Sequence, residues 1–463
     1  MNLNFLLSAA ICATGWAQGA AALSNLELMA VGSLSGTNDL SGLNGNLENG
    51  LAKSVLGGVG SGLAYAGNNV FLAIPDRGPN ATAWNPALED TTSYISRFHT
   101  ISMNLSATAS GSFAYTLVPT LQSTTKLYSP TALSYGSVAT GTVSGTPSEN
   151  APGQFYFTGR SDGYDPAQNS VSPNNGRFDP EGIRMSNDGS KVYVSDEYGA
   201  YLYEFDNATG ARTRVFTLPG NLAVAKPGPT TASEGSPTNT SGRVANKGME
   251  GLAITPDGSK LIGVLRAPLL QDSNKNVRIV TVDIATGTTQ EFAYRFTTGT
   301  GISEILAIND HEFLLDERDG KGLGDGSSAV VKQLFKIDLN GATDVTNLSG
   351  DLSAQAVTKT LFLDVKLALN AKGITSAQVP AKMEAMAWGA DIIDSGELFH
   401  TLWRANDNDF VPASAGPSNF YVFAVKASEL TSFKAQAVPL PAAAFLMAPA
   451  LAGIAGLRRR RRA

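Results

Sequence analysis

Cysteine and histidine are nearly missing from this 463-residue chain: there is one Cys, at position 12, and three His, at 99, 311 and 400. A disulfide framework and a cysteine-based zinc site are thereby excluded. Three scattered imidazoles cannot build a His-rich metal cluster, so a metal held by this chain would be bound through oxygen. Charged residues are also sparse, at 16%, while 43% are hydrophobic. That balance rules out disorder for most of the chain and supports a substantial core. Residues 1–22 carry no charged side chain, and residues 438–463 carry no acid.

The two ends read as addresses. The first 22 residues combine a short apolar run with Ala17-Gln-Gly-Ala-Ala-Ala22, the pattern of a secretory signal cleaved near Ala20–Ala22, which would discard Cys12. At the other end Val438-Pro-Leu-Pro-Ala442 precedes an apolar or small-residue run to Leu457, and Arg458–Arg462 follow. A positive cap of this kind orients a short hydrophobic segment with its basic end in the cytoplasm. Proline motif, hydrophobic segment and terminal arginines in that order resemble a PEP-CTERM-type sorting tail in its VPLPA variant. The resemblance implies a Gram-negative bacterium, processing by signal peptidase and an exosortase, and a place at the cell surface, in the outer membrane or outside the cell. It also implies an association with exopolysaccharide. The chain thus divides into a leader (1–22), a body (23–437) and a sorting segment (438–463). Taking the five tail arginines from 34 basic residues leaves 29 against 40 acids, a net charge of −11. So acidic a body is expected to bind no nucleic acid, and suits divalent cations or a carbohydrate-rich exterior.

What the body has in abundance is glycine, 48 residues, placed in turns between short β-branched and aromatic runs such as Val192-Tyr-Val-Ser and Tyr201-Leu-Tyr-Glu-Phe. One stretch repeats: Glu181-Gly-Ile-Arg-Met-Ser-Asn-Asp-Gly-Ser-Lys-Val aligns without a gap on Glu250-Gly-Leu-Ala-Ile-Thr-Pro-Asp-Gly-Ser-Lys-Leu. Each copy leads to a strand ending in Asp and then a Thr-Gly turn, at Asp206…Thr209-Gly and Asp283…Thr286-Gly. Weaker copies begin at Ser61-Gly-Leu-Ala, Ser303-Glu-Ile-Leu and Met383-Glu-Ala-Met. Spacing of this kind predicts an all-β fold, a β-propeller. Five copies are visible and residues 98–160 have room for another, so six blades are expected, with five or seven open. A monomer is expected. Asp188 and Asp257 read as turn residues.

The repeat brings an acid to one place in each copy, Glu181, Glu250, Glu304 and Glu384. At the start of successive inner strands these would converge on one mouth of the central channel. Crowded carboxylates need cations or protons to compensate them. Asp76, Arg77, Asp196, Glu197, Arg266, Glu317, Arg318 and Asp319 follow inner or second strands and are assigned to the same mouth. Asp407 and Asp409 are weaker candidates. The oxygen set of Asp76, Glu181, Asp196, Glu197, Glu317, Asp319 and Glu384 suits Ca²⁺. Arg77, Arg266 and Arg318 are candidate clamps for phosphate or carboxylate, and Glu250 and Glu304 are the candidate catalytic acids. The bland alternative is that these acids only tie blades together through backbone amides. Nucleophile signatures are weak: Gly159-Arg-Ser161-Asp-Gly163 leads into a Pro/Asn/Gly-rich stretch rather than a helix. His311 reads as an exposed turn residue.

Asp76-Arg-Gly, Phe178-Asp-Pro-Glu-Gly-Ile, Val194-Ser-Asp-Glu-Tyr, Asn246-Lys-Gly-Met-Glu-Gly-Leu, Gly301-Ile-Ser-Glu-Ile and Glu317-Arg-Asp together resemble the bacterial phytase-like family, "esterase-like activity of phytase", over about residues 50 to 425. The resemblance implies a secreted or periplasmic propeller that hydrolyses phosphate or carboxylic esters of small molecules. No Arg-His-Gly motif of the histidine acid phosphatases is present, so a metal-assisted route is expected. Two rival readings stand beside it, a non-catalytic surface propeller binding glycan or matrix polymers and a Ca²⁺-dependent lactonase-like propeller.

Overall fold

The computed structural model describes residues 23–79, 91–108, 111–135, 145–161, 169–228, 231–273 and 275–438. The leader and nearly all of the sorting segment lie outside the described residues. Strand β1 (Leu26–Ser33) comes first. A four-stranded sheet follows from β2 (Gly62–Gly67), β3 (Val70–Ile74), β4 (Arg97–Ala107) and β5 (Tyr115–Lys126), and then a short pair, β6 (Tyr128–Ser129) with β7 (Phe155–Tyr156). The second sheet is β8 (Pro180–Met185), β9 (Lys191–Asp196), β10 (Leu202–Asp206) and β11 (Arg212–Val215). The third is β12 (Met249–Ile254), β13 (Lys260–Leu265), β14 (Asn276–Asp283) and β15 (Thr289–Arg295). The fourth is β16 (Gly301–Ala307), β17 (Glu312–Arg318), β18 (Lys332–Asp338) and β19 (Lys359–Asp364). The last contains β20 (Ala385–Trp388), β21 (Ile392–Asp394), β22 (Glu397–Ala405) and β23 (Asn419–Lys426), and β1 completes it by pairing antiparallel with β23.

The inner strands β2, β8, β12, β16 and β20 pack in a closed ring, so the molecule is a five-bladed propeller. All five repeat starts read from the sequence are inner strands. Five is one of the counts that the sequence left open, and the described residues of 98–160 form no sixth blade. Among the described residues of that stretch the long β4–β5 hairpin comes first, and the remainder forms the two-residue ladder between β6 and β7 and isolated bridges such as Ala151 with Gln154.

The repeat is visible in the turns. Asp188 and Asp257 cap their β-turns by accepting from the amides of Ser190 (3.0 Å) and Ser259 (2.9 Å). Asp206 and Asp283 do the same for Thr209 (3.0 Å) and Thr286 (2.8 Å). One apolar cluster fills each joint between blades: Phe71 with Trp403, Leu314 with Met386, Ile74 with Val192, Leu202 with Leu252, and Ile262 with Phe313 mark the five. Each large apolar side chain buried there contributes roughly 1.5–3 kcal/mol. The glycines after Glu181 and Glu250 have a packing cause. A Cβ on Gly251 would lie 2.7 Å from Glu304 Cα, and one on Gly182 2.8 Å from the Leu252 amide nitrogen. Neighbouring inner strands are that close.

Candidate functional site: a carboxylate and arginine mouth

Inner strands β8, β12 and β16 each carry a bulge near their start, between Pro180 and Ile183, Met249 and Gly251, and Ile302 and Ile305. A bulge re-aims the side chain it displaces. Counting back from the pairs Ile183–Val194, Leu252–Gly263 and Ile305–Leu315, Glu181 and Glu250 are equivalent to Ser303. Glu304 stands one residue on, at the position of Gly182 and Gly251. The expectation that Glu304 shares the mouth with the other acids is therefore corrected. Its carboxylate accepts from the amides of Leu252 (2.9 Å) and Ile305 (3.0 Å) and pairs with Arg184 at 3.1 Å. Arg184 in turn donates to the carbonyls of Leu63 (2.6 Å) and Ile305 (3.0 Å). The Arg184–Glu304 pair bolts the first, second, third and fourth blades together across the channel.

The same register makes Glu197, Arg266 and Arg318 equivalent, one just past each second strand or at its end. Because successive strand residues face opposite ways, their neighbours Asp196 and Glu317 point elsewhere. Asp196 accepts from the amides of Asp179 (2.6 Å) and Gly199 (2.6 Å). Glu317 meets Lys359, the Tyr294 hydroxyl (2.5 Å) and the amides of Thr297 to Gly299. Asp319 is held by Lys332 Nζ (2.9 Å) and the amides of Val330 and Val331 (both 3.1 Å). Protein donors take up all three carboxylates, which fit structural ties better than the metal ligands they were read as.

The other acids do converge. One ligand oxygen from each of Glu181, Glu250 and Glu384 lies within 4.8 Å of the others, and the same holds for Asp179, Glu181 and Glu197 and for Asp76, Asp407 and Asp409. Asp179 and Lys382 were not singled out from the sequence. Asp179 sits in the quoted Phe178-Asp-Pro-Glu motif, and its partnership with Arg77 is the signal that its chemistry alone could not give. Four cations reach these acids. Arg77 donates to Asp179 (3.1 Å) and to Asn246. Arg266 lies 3.6 Å from Glu197 and 3.5 Å from Glu250. Arg318 lies 3.6 Å from Glu250 and touches Glu384 and Ser303. Lys382 pairs with Asp407 at 3.0 Å and with Asp409.

Burial governs the acidities. It pushes Glu181 and Glu197 well above the usual carboxylate range, with Glu250 as the main charged neighbour of each. Asp76 is also raised well above it, by burial and then by Asp407, and Asp407 itself is pushed up to about 7 by burial. Burial raises Asp179 against the opposing pull of Arg77. Neither carboxylate oxygen of Glu250 has a hydrogen-bond partner, nor has Glu197 Oε1. The mouth is layered: the side chains of Arg266 and Lys382 are 25% and 27% exposed, whereas Glu250 and Asp407 are 2% and 0%. Oxygen donors this close, buried and partly unsatisfied are a donor set that fits a hard divalent cation.

No histidine takes part. His99 is buried and lowered to about 4 by desolvation, His311 pairs with Asp338 at the surface, and His400 pairs with Asp391. Ser161 exchanges hydrogen bonds with Thr91 (3.1 and 2.9 Å), and Gly163 lies outside the described residues.

A propeller whose channel mouth interleaves buried carboxylates with arginines is the class that fold and site define. The phytase-like family profile, described as esterase-like activity of phytase, matches residues 54–410, and the chain belongs to that family. An uncharacterized secreted protein of Arthroderma benhamiae is 31% identical over 137 residues, which is 26% of either chain, so the match spans about a quarter of that relative. Among solved structures, TolB from Acinetobacter baumannii aligns over 79% of this chain and 54% of its own, with 8% identity and a TM-score of 0.27. A protein of Bacteroides uniformis described provisionally as a 6-phosphogluconolactonase aligns over 77% and 82%, with 12% identity and a TM-score of 0.29. The five-bladed assignment rests on the sheet order of this chain.

Proposed function

We propose that the chain is an exported hydrolase of phosphate or carboxylic esters that works at the carboxylate mouth with a divalent cation, Ca²⁺ by donor chemistry. The observation that carries this reading is Glu250, buried between Glu181 and Glu384 with no hydrogen bond to either oxygen, its charge faced by Arg266 at 3.5 Å and Arg318 at 3.6 Å. Glu181, Glu250 and Glu384 would hold the ion, which when bound supplies positive charge to polarise an ester oxygen and to acidify water. Arg266 and Arg77, nearer solvent, meet the negative oxygens of an entering substrate and orient it. Arg318 fixes Glu250 relative to Glu384. Glu197, whose Oε1 takes no hydrogen bond and lies 3.6 Å from Arg266, and whose proton affinity is raised, is placed to take a proton from water. The layering favours phosphate esters, whose negative oxygens match the exposed guanidiniums. Family membership and a secreted relative support hydrolysis and export. Among the described residues no helix is long and apolar enough to cross a membrane. Removal of the ends by signal peptidase and an exosortase, and contact with exopolysaccharide at a Gram-negative surface, belong to the same proposal.

The test is turnover of 4-nitrophenyl phosphate and 4-nitrophenyl acetate with and without a chelator. Glu250→Gln is expected to lower kcat by about 100-fold or more, and chelation to abolish activity reversibly. Turnover that survives both treatments sinks the reading, and silence on both substrates with retention on exopolysaccharide favours a binding module.

A further inference from the structure

Of the cations at the mouth, Arg266 is held unlike the others. Arg77 donates to Asp179 at 3.1 Å, Arg318 to Ser303 and Glu384, and Lys382 to Asp407 at 3.0 Å. The Arg266 guanidinium makes no hydrogen bond among the described residues. Charge alone holds its polar end, through Nη1 at 3.6 Å from Glu197 Oε1 and 3.5 Å from Glu250 Oε1. Both distances exceed the roughly 2.7–2.9 Å of a charge-assisted hydrogen bond. Neither Glu250 oxygen accepts a hydrogen bond, nor does Glu197 Oε1. The Arg266 backbone is fixed, its amide donating to the Gly248 carbonyl (3.0 Å) and its carbonyl accepting from Ile302 (3.1 Å). The loose part is the side chain, 25% exposed against 5% for Arg318.

We propose that Arg266 is a latch, the internal counter-ion of Glu197 and Glu250, released to an anionic substrate group once a divalent cation is bound at those acids. Cation and anion then bind the mouth cooperatively. The inference rests on the divalent-cation reading given above. Arg266 and a cation compete for one oxygen, Glu250 Oε1, and their charges repel. Releasing Arg266 breaks no hydrogen bond, and its planar guanidinium keeps every donor for a phosphate or phosphonate, which it fits bidentately. Arg77 cannot play this part, because Asp179 holds it by both its backbone amide (2.9 Å) and its Nη1. Arg318 also faces Glu250 Oε1, at 3.6 Å, but its bonds to Ser303 and Glu384 keep it in place. Coupling of this kind is reciprocal: the factor by which the anion tightens the cation is the factor by which the cation tightens the anion.

Calorimetric titration of the purified full chain with Ca²⁺ tests the latch, alone and with saturating phenylphosphonate, whose carbon–phosphorus bond ester hydrolysis does not cut. Without phosphonate, Arg266→Met is expected to bind Ca²⁺ about tenfold more tightly than the wild type, the reverse of what a loosened mouth would give. Phenylphosphonate is expected to tighten Ca²⁺ binding about tenfold in the wild type and no more than about threefold in Arg266→Met, the direct attraction between the two ligands that both proteins share. One measurement needs no variant. Ca²⁺ is expected to speed the reaction of Arg266 with 4-hydroxyphenylglyoxal about threefold or more, read by peptide mass spectrometry, and to leave Arg77 unchanged. Equal Ca²⁺ affinities, equal effects of phenylphosphonate on both proteins, or an Arg266 whose reaction ignores bound Ca²⁺ overturns the latch and leaves the cation reading standing. Ca²⁺ binding by neither protein, with or without phenylphosphonate, overturns both.

Discussion

Arg318 touches Glu384 and stands 3.6 Å from Glu250, so one guanidinium of the fourth blade spans an acid of the third and an acid of the fifth. Removing one partner of a buried ion pair leaves an uncompensated charge, at a cost of about 3–5 kcal/mol. Arg318→Met is therefore expected to lower the unfolding free energy by about that amount, measured by urea denaturation. Added Ca²⁺ should recover part of the loss, because the ion supplies the missing charge.

The mouth also predicts a direction of pH dependence. The folded-state pKa of Asp407 is about 7 against an ordinary 3.8, and Asp76, Glu181 and Glu197 are raised as well. A carboxyl raised on folding binds its proton more tightly in the native state, so its stabilisation is complete below its unfolded pKa. That stabilisation is lost as the pH climbs through the folded value. Stability is thus expected to fall between about pH 4 and pH 7. The turn aspartates, whose pKa values are lowered by hydrogen bonds, work in the opposite sense and below this window. Thermal melts across the range should show the decline. Asp407→Asn should flatten it, and Ca²⁺ should raise the melting temperature more at pH 7.5 than at pH 4.5.

The Arg184–Glu304 bolt separates architecture from chemistry. Arg184→Met leaves Glu304 buried and unpaired and is expected to cost about 3–5 kcal/mol, whereas Arg184→Met with Glu304→Leu should recover most of that loss. Differential scanning calorimetry of the single and double variants decides the point. A double variant as unstable as the single would show that the backbone ties of Glu304, not its charge, hold the blades.

Gly251 offers a packing test. Its added Cβ would meet Glu304 Cα at 2.7 Å and the Ile305 nitrogen at 2.8 Å, backbone atoms that cannot swing aside. Gly251→Ala is expected to destabilise by about 1–3 kcal/mol, read from the denaturation midpoint. Gly350→Ala, where nothing lies within 4 Å, is the control for open space. Its φ of +87° adds only the ordinary strain of a left-handed residue.

The blades were legible because their turns are chemical: Asp-Gly and Thr-Gly pairs recur at positions that the backbone needs for capping. Glu181, Glu250 and Glu384 could be read together because the acid itself repeats. Glu304 was misplaced because a bulge adds a residue without leaving a mark in composition, and a shift of one residue turns a side chain to the other side. Asp196 and Glu317 were misassigned for the related reason that adjacent residues of a strand face opposite ways. Asp179 and Lys382 went unseen as site residues because their partners, Arg77 and the Asp407–Asp409 pair, are remote in sequence or on the next turn of the chain. The sixth blade was over-read because a long hairpin and a two-residue ladder carry the same strand-like composition as a blade.

The pairing of β1 with β23 gives the ring a temporal asymmetry. The first described strand to leave the ribosome belongs to the last blade, and its register partners, Leu26 with Val425 and Ser33 with Asn419, are synthesised only near the end of the body. Four sheets can form as their residues appear, yet Leu26–Ser33 must wait with its edge unpaired while almost the whole body is made. Closing so long a loop costs little more entropy than closing a short one, so waiting is thermodynamically cheap, but the idle strand is an open edge meanwhile. A truncated or stalled chain would therefore carry four blades and a sticky fifth, with premature termination near its end more harmful than its small loss of length suggests.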